Sequence, residues 1–198
     1  MKKIGFIGCG HMAQALIRGL KSNKSYELLG HDRNSKNIAW LKQEKIASYT
    51  LKEACHEADI LMICVKPKDM YDLCSEMKTH IGKELKIVSV AAGITLENLK
   101  DALAGGKVYR AMPNIGAKHN LGITSIFSHE ELNEILDIFN YLGKAIVVED
   151  EDKINLHTSL IGSAPAFYFE IINEFEHRLN ELLPDNVSKR DITLLFLT

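Results

Sequence analysis

The sequence has no excess of basic charge and no long apolar run. Its 24 Lys and Arg residues are balanced by 26 Asp and Glu residues, for a net charge of −2, so we expect no nucleic-acid partner. The longest apolar stretches, such as residues 60–65, are far shorter than the roughly 20 residues of a membrane-spanning helix. No signal-peptide pattern precedes the first strand. We therefore expect a cytoplasmic protein without a membrane partner.

Closely spaced pairs of cysteine or histidine are also missing. The chain has four cysteines and eight histidines, but no C-x-x-C, H-x-x-x-H or H-E-x-x-H spacing. We therefore expect neither a disulfide framework nor a zinc site or other metal site. Cys9 and Cys64 are best interpreted as small apolar filler in the core.

What the sequence does contain is a glycine-rich turn near its start. Residues 3–13 read as an apolar strand that runs into G-x-G-x-x-A and then into a helix. Gly8 permits a tight turn, Gly10 lets the backbone approach a pyrophosphate, and Ala13 lets the helix lie against the strand. The helix N-terminus adds free N–H groups for the anion. This motif predicts a dinucleotide site; the alternative is a structural turn that opens a generic α/β domain.

Strand and helix patterns alternate to about residue 148. The alternation predicts a Rossmann-type, doubly wound α/β fold with a mainly parallel sheet. Four consecutive acids occupy Glu149–Asp152, and the pattern after them is helical. We predict a dinucleotide-binding domain at 1–150 and a short all-helical C-terminal segment at 151–198. The acidic run is then a solvated linker that favours the start of the helix.

Within the first domain the patterns place individual elements. Ile46–Thr50 is expected to form a short strand, and Asp59–Val65 a central strand buried on both faces. Ile38 and Leu41 are expected on the inward face of their helix. The helices predicted from periodicity include 35–44, 51–57, 69–81, 96–103 and 130–142.

The helical segment carries an apolar stripe that is too wide for a helix standing alone in water. The stripe consists of Tyr168, Ile171, Ile172, Phe175, Leu179, Leu182 and Leu183. The first domain, later helices or a second subunit would have to cover it. We therefore expect self-association through these helices, as a homodimer or a higher homo-oligomer.

Three predicted strand ends carry small residues or proline. They are Cys64-Val65-Lys66-Pro67, Ala91-Ala92-Gly93 and Arg110-Ala111-Met112-Pro113-Asn114. Ligands of open α/β sheets bind beyond the carboxyl ends of the strands, and such residues let backbone approach a flat ring and hold the loops rigid. We predict that these loops position a nicotinamide. The alternative for any one of them is that its small residues or proline only end the strand and begin a loop.

The end of the second strand bears on the choice of cofactor. Asp32 follows Gly10 by 22 positions (32 − 10), where an acid would accept a hydrogen bond from a ribose 2′-hydroxyl. The next residue, Arg33, could instead hold a 2′-phosphate through two parallel hydrogen bonds. The third interpretation is a polar turn that needs no ligand.

Five blocks of this sequence resemble pyrroline-5-carboxylate reductases, in the order and spacing of that family. They are Gly5–Met12, Val65–Pro67, Val88–Thr95, Arg110–Asn114 and Gly162–Ala166. The resemblance implies reduction of 1-pyrroline-5-carboxylate, a cyclic imine, to L-proline, with NADPH favoured and NADH possible. It also implies cofactor contacts from Ile7, Gly8, Cys9, Gly10, His11, Met12, Arg33, Cys64, Val65, Lys66, Pro67, Ala91, Ala92 and Gly93.

The sequence assigns no catalytic residue. A protonated C=N already accepts hydride readily, so most of the rate can come from positioning. Lys66 could act as an acid if it were buried, but an orienting or ion-pairing role is the favoured interpretation. Ser163 could line the substrate pocket, or it could cap the helix that begins with Ala164-Pro165.

The chain also departs from the resembled family. Family members continue through more helices and an S-P-G-G-T-T loop that receives the substrate carboxylate, and these 198 residues do not contain that loop. We therefore expect NADP(H) binding but poor or no reduction of the imine by this chain alone. One alternative is a nucleotide-binding regulator or a decayed remnant. Another, a 3-hydroxyacid dehydrogenase, needs a lysine on the interdomain helix, and there is none from Ile154 to Ser188.

Overall fold

In a computed structural model that describes residues 1–182, eight strands form one sheet in the order β3-β2-β1-β4-β5-β6-β7-β8. The strands are β1 Lys2–Ile7, β2 Tyr26–His31, β3 Ala47–Ser48, β4 Ile60–Ile63, β5 Lys86–Ser89, β6 Lys107–Met112, β7 Gly122–Phe127 and β8 Gly143–Val147. The α-helices are α1 His11–Leu20, α2 Ser35–Gln43, α3 Leu51–Glu57, α4 Met70–Met77, α5 Leu96–Leu103, α6 Asn133–Tyr141, α7 Asp152–His157 and α8 Ala164–Leu182.

The sheet is parallel except between β6 and β7, which pair antiparallel. Its order reverses between β1 and β4, because the chain builds outward from β1 to β3 and then returns to the other side of β1. The predicted Rossmann-type, mainly parallel fold is confirmed. The carboxyl ends of β1, β2, β4, β5 and β6 therefore share one edge of the sheet, where ligands of such folds bind.

Apolar side chains cover both faces of this sheet. One layer packs α3, α4 and α5 against it through residues such as Leu73 and Leu99, and the other packs α1 and α6 through residues such as Leu16 and Phe139. All four residues of β4 are fully buried, which confirms the expectation of a central strand. Each such buried side chain stabilises the fold by about 1.5–3 kcal/mol relative to exposure.

Several predicted elements are shorter than expected. The strand at 46–50 is reduced to Ala47–Ser48. The helix predicted at 69–81 is a 3₁₀ turn, Pro67–Asp69, followed by α4, which ends at Met77. The helix predicted at 130–142 begins only at Asn133. Periodicity alone does not mark such ends, because capping and packing decide where a helix stops.

The inward face of α2 was predicted only half correctly. Leu41 is fully buried, but Ile38 remains 38% exposed. Asn34 caps this helix by accepting a hydrogen bond from the Lys36 backbone N–H, as its polar position before the helix favours.

The C-terminal helices run consecutively through α7, a π-helix at Thr158–Ser163 and α8. Six of their large apolar residues are exposed by 58–69%; this set, called here the exposed apolar set, is Leu156, Leu160, Phe167, Tyr168, Phe169 and Ile171. From the predicted stripe, Ile172, Phe175 and Leu179 are half-buried, the Leu182 side chain is not described, and Leu183 lies outside the described residues. In the described part of the chain, no helix has the length and hydropathy to span a bilayer.

The acidic run before α7 is not simply a solvated linker. The Glu151 carboxylate is 23% exposed and accepts hydrogen bonds from the Arg110 Nη1 at 2.7 Å and the Leu96 backbone N–H at 2.6 Å. The expectation was wrong at this residue because its partners lie 41 and 55 positions away in sequence, beyond the reach of any local pattern. Glu151 instead ties the start of α7 to β6 and to the first turn of α5.

Candidate functional site

The glycine turn sits between β1 and α1 in a conformation that suits a phosphate. Gly8 adopts a φ of +83°, and a Cβ there would lie 2.8 Å from Val65 Cγ1, so the turn requires glycine. Gly10 caps α1 in extended conformation with no side chain bound to the free N–H groups. A Cβ at Gly10 would meet no atom of the described residues beyond its chain neighbours within 4 Å. The space beside Gly10 is therefore open, and it faces the positive end of the α1 dipole.

Asp32 holds this turn from the end of β2. Its Oδ2 accepts hydrogen bonds from the Cys9 backbone N–H at 2.6 Å and from Asn37 Nδ2 at 2.8 Å, and its Oδ1 accepts one from the Asn34 backbone N–H at 2.7 Å. These three donors use most of the carboxylate's acceptor capacity. The structure thus gives Asp32 a direct role in shaping the turn; ribose recognition stays a prediction.

Two thiols near the turn have raised pKa values. Cys9 is fully buried, with its Sγ donating weakly to the carbonyl oxygens of Phe6 and His31. Burial, together with the charge of Asp32, raises the pKa of Cys9 to about 12. Burial also raises the pKa of Cys64, at the end of β4. Both thiols therefore stay protonated at neutral pH, as apolar filler requires.

A cleft of about 440 Å³ opens beside the turn, at the carboxyl edge of the sheet. Eight of the predicted cofactor residues line it: Ile7, Gly8, Gly10, Asp32, Arg33, Cys64, Val65 and Lys66. Sequence reasoning missed seven other lining residues: His31, Asn34, Asn37, Lys68, Asp69, Asp72 and Leu73. The strand-end rule could have found His31 and Asn34, because they flank Asp32 and Arg33 at the same strand end. Asp72 and Leu73 lie on α4, and no sequence pattern marks them as cleft residues.

The remaining predicted residues are not part of this cleft lining. They are Cys9, His11, Met12, Pro67, Ala91, Ala92, Gly93, Met112, Pro113 and Asn114. His11 and Met12 form the first turn of α1, and Ala91–Gly93 and Met112–Asn114 follow β5 and β6 along the same edge. Gly93 has a φ of +74°, with open space where a Cβ would point. The described part of the chain therefore leaves open space beside the Gly93 backbone.

Asn114 links this edge to the C-terminal helices. Its Oδ1 accepts a hydrogen bond from the Ile123 N–H at 3.2 Å, and its Nδ2 donates to the Ile161 carbonyl at 3.3 Å. Ile161 lies within the π-helix Thr158–Ser163. The Asn114 amide therefore ties this helix to the end of β6.

Ser163 does not cap a helix. It is the last residue of the π-helix, which continues directly into α8, and its hydroxyl donates to the Thr158 carbonyl at 3.4 Å. The capping interpretation was wrong because the helical backbone runs through Ser163 into α8 without a break. Lys66 is exposed at the cleft, so it lacks the burial that an acid role would need.

Arg33 is the residue best placed to meet an extra phosphate. It lines the cleft beside Gly10 and Asp32, with 68% of its side chain exposed. The open space at Gly10, the free N–H groups of α1 and this guanidinium together fit a phosphorylated dinucleotide. Within residues 1–182, no three His, Cys, Asp or Glu side chains are grouped to hold a metal ion.

Comparison with known proteins agrees with this geometry. The sequence profile of the family described as "NADP oxidoreductase coenzyme F420-dependent" matches residues 3–93, which include the glycine turn and the strand ends of β2, β4 and β5. A solved pyrroline-5-carboxylate reductase from Coxiella burnetii has a TM-score of 0.80 at 26% identity, covering 97% of this chain and 74% of that one. The crystal structure of Plasmodium falciparum pyrroline carboxylate reductase with NADP bound has a TM-score of 0.84 at 21% identity, covering 99% and 74%; at that identity it shows the fold alone.

Sequence identity to a known reductase shows which family the chain belongs to. The pyrroline-5-carboxylate reductase of Escherichia coli (strain K12) is 35% identical over 182 residues, which cover 86% of this chain and 67% of that protein. The match therefore spans most of the chain. The chain belongs to the pyrroline-5-carboxylate reductase family.

Proposed function

We propose that this chain is an oxidoreductase that reduces 1-pyrroline-5-carboxylate to L-proline with NADPH, the last step of proline biosynthesis. The observation that carries the proposal is the cleft: an open glycine turn, free helix N–H groups and Arg33 at one sheet edge, in a chain of this family. NADH is the second possible cofactor, because the phosphate-binding turn does not depend on the 2′-phosphate.

The residues divide along the cleft by their chemistry. Gly8, Gly10 and the first turn of α1 would hold the diphosphate, and Arg33 would hold the 2′-phosphate. When bound, the cofactor supplies a hydride from nicotinamide C4 to the imine carbon, while the imine nitrogen already carries its proton. The loops Ala91–Gly93 and Met112–Asn114 would hold the nicotinamide ring against the substrate, because they follow neighbouring strands along the same edge.

The chain itself contributes mainly positioning. Holding two reacting groups in contact can supply most of the barrier reduction for a reactive acceptor such as an iminium. We assign Lys66 an orienting role for anionic groups, since it is exposed at the cleft. Ser163 is our candidate for substrate contact, because the same π-helix is held to the β6 end by Asn114.

We also propose that residues 1–150 and 151–198 act as a cofactor domain and a helical domain, and that the helices join copies of the chain. The exposed apolar set supports this, since side chains exposed by 58–69% are costly in water. The four free thiols support the cytoplasm as the compartment, where thiols stay reduced.

Binding and turnover should be measured separately. Calorimetry with NADPH tests the cleft, and loss of the reduced-nicotinamide absorbance on addition of 1-pyrroline-5-carboxylate tests the reaction; its rate also tests the expectation of poor reduction. We expect saturable binding and imine-dependent oxidation of NADPH. Binding without any turnover would favour a nucleotide-binding regulator instead, and the absence of binding would rule out the proposed function.

A further inference from the structure

Arg33 is already engaged by an acid of the protein. Its Nη2 lies 2.5 Å from Glu76 Oε1. Arg33 belongs to the loop after β2, whereas Glu76 lies near the end of α4. The ion pair therefore connects the two elements that flank the cleft, and it uses the guanidinium that a 2′-phosphate would need.

Other carboxylates strengthen this arrangement. Asp69 and Asp72 lie on the same side of the cleft as Glu76. The hydrogen bond to Glu76, its charge and the charges of these two residues all raise the pKa of Arg33. The cations Lys66 and Lys68 also line the cleft, so it is not uniformly acidic. Among these groups, only Glu76 is in direct contact with Arg33.

We propose that Glu76 is a specificity-determining residue, whose carboxylate competes with the 2′-phosphate of NADP(H) for Arg33 and thereby narrows the preference for NADP(H) over NAD(H). The inference rests on the proposed function, since it assumes a dinucleotide in this cleft. NAD(H) carries a hydroxyl in place of that phosphate, so its binding does not require Arg33 to leave Glu76. Removing the Glu76 charge should therefore strengthen the binding of one cofactor and not the other.

The expected effect is modest because the ion pair is exposed. With 68% and 51% of the two side chains accessible to water, the pair belongs to the class whose loss changes equilibria by about two- to five-fold. Salt should reduce the effect further, since the Debye length is about 10 Å at 0.1 M ionic strength. The measurement is best made at low ionic strength.

The test compares Glu76→Gln with Glu57→Gln in the full chain. Glu57 forms an exposed ion pair with Lys3 at 2.6 Å, at the opposite edge of the sheet, so its variant removes the same charge far from the cleft. Calorimetry with NADP⁺ and with NAD⁺ gives each dissociation constant. We expect Glu76→Gln to lower the constant for NADP⁺ about two- to five-fold and to leave that for NAD⁺ within the range of Glu57→Gln.

A second variant pair isolates Arg33. In the Arg33→Gln background, the further change Glu76→Gln should alter NADP⁺ binding no more than Glu57→Gln does. The guanidinium for which the Glu76 carboxylate and the 2′-phosphate compete is then absent. Equal tightening of both cofactors, or no difference from Glu57→Gln, would overturn the inference while leaving the proposed function intact. If the wild-type chain binds neither cofactor, the proposed function fails and the inference with it.

Discussion

Gly10 is the residue at which binding and stability can be separated. A Cβ at this position meets no atom of the described residues beyond its chain neighbours within 4 Å, and its φ of −75° is open to any residue. Gly10→Ala should therefore cost no more than about 1 kcal/mol, the usual loss at a helix N-cap. The added methyl group occupies the space assigned to the diphosphate, so the dissociation constant for NADPH should rise at least about tenfold. Calorimetry and thermal unfolding measure the two effects.

Alanine at Gly8 should destabilise the fold, in contrast to alanine at Gly10. At a φ of +83°, with a Cβ only 2.8 Å from Val65 Cγ1, Gly8→Ala should lower the free energy of unfolding by at least about 1–2 kcal/mol. Strong NADPH binding by Gly10→Ala would show that the diphosphate does not lie against this turn. A large loss of stability in Gly10→Ala would show that the open space is filled in solution.

The residues of the glycine turn show what the sequence can and cannot reveal. The glycines of the turn were predicted from spacing, because their backbone requirements are local. Asp32 was predicted either to accept a hydrogen bond from a ribose hydroxyl or to belong to a polar turn, and in the structure its carboxylate accepts hydrogen bonds from Cys9, Asn34 and Asn37. The Cys9 contact spans 23 positions. No local pattern encodes such a bond, since only the pairing of β1 with β2 brings the two residues together.

At the scale of elements, Glu151 fixes the first turn of the C-terminal helices. It accepts hydrogen bonds from Arg110, whose side chain is 3% exposed, and from the N-terminus of α5. Among residues 1–182, nothing hydrogen-bonds the buried Arg110 Nη2, so the guanidinium depends on Glu151 for its compensation. Glu151→Gln should therefore lower the free energy of unfolding by about 3 kcal/mol, as expected when a buried charge loses its partner. Denaturant unfolding measures this value.

Removing both charges gives the control for that experiment. Arg110→Met together with Glu151→Gln leaves no uncompensated charge, so the double variant should be more stable than Glu151→Gln alone. Simple addition of the two single losses would contradict the coupling. A loss below about 0.5 kcal/mol in Glu151→Gln would show that the contact does not anchor α7.

Element boundaries were the least predictable part of the fold. Most helices and strands were placed correctly, because their apolar periodicity reflects which face is buried. The π-helix at Thr158–Ser163 was not expected, although Pro165 marks the position where a regular helix loses a donor. The donor from Asn114 is supplied across 47 positions. Such an irregularity depends on tertiary contacts, and sequence indicates only where it can occur.

For the molecule as a whole, the buried thiols predict a loss of stability in alkali. Burial raises the pKa of Cys55 and of Cys74 to about 11 from an ordinary value of 9.0. Between about pH 9 and 11 the unfolded chain therefore binds fewer protons than the folded one. The free energy of unfolding should then fall as pH rises, by up to about 1.4 kcal/mol per pH unit for each thiol, and should be unaffected by these thiols below pH 8.

Denaturant unfolding at about pH 8 and pH 10 tests this slope. Cys74→Ala removes one thiol outside the cleft, so its stability should fall less between the two pH values than that of the wild type. All other titratable groups are common to the two proteins, so the comparison cancels their contribution. An identical slope in the two proteins would show that Cys74 ionises as readily in the folded chain as in the unfolded one.

We propose that another copy of the chain covers the C-terminal helices. The exposed apolar set comprises six large side chains exposed by 58–69%. Burying them would contribute on the order of 10 kcal/mol, which lies within the roughly 4–15 kcal/mol that association of two chains costs. A symmetric dimer doubles the gain, because each copy presents the same side chains. We therefore predict that copies of the chain associate through this surface.

We accordingly expect the wild-type chain to have a solution mass of twice its 22.2 kDa or a higher multiple, measured by light scattering or sedimentation. Ile171→Asp places a charge among the exposed apolar set and should shift the chain to the monomer. Leu121→Asp is the matched control, because Leu121 is 79% exposed but follows β6; it should leave the mass unchanged. A wild-type monomer at every concentration would show that these helices do not join copies of the chain.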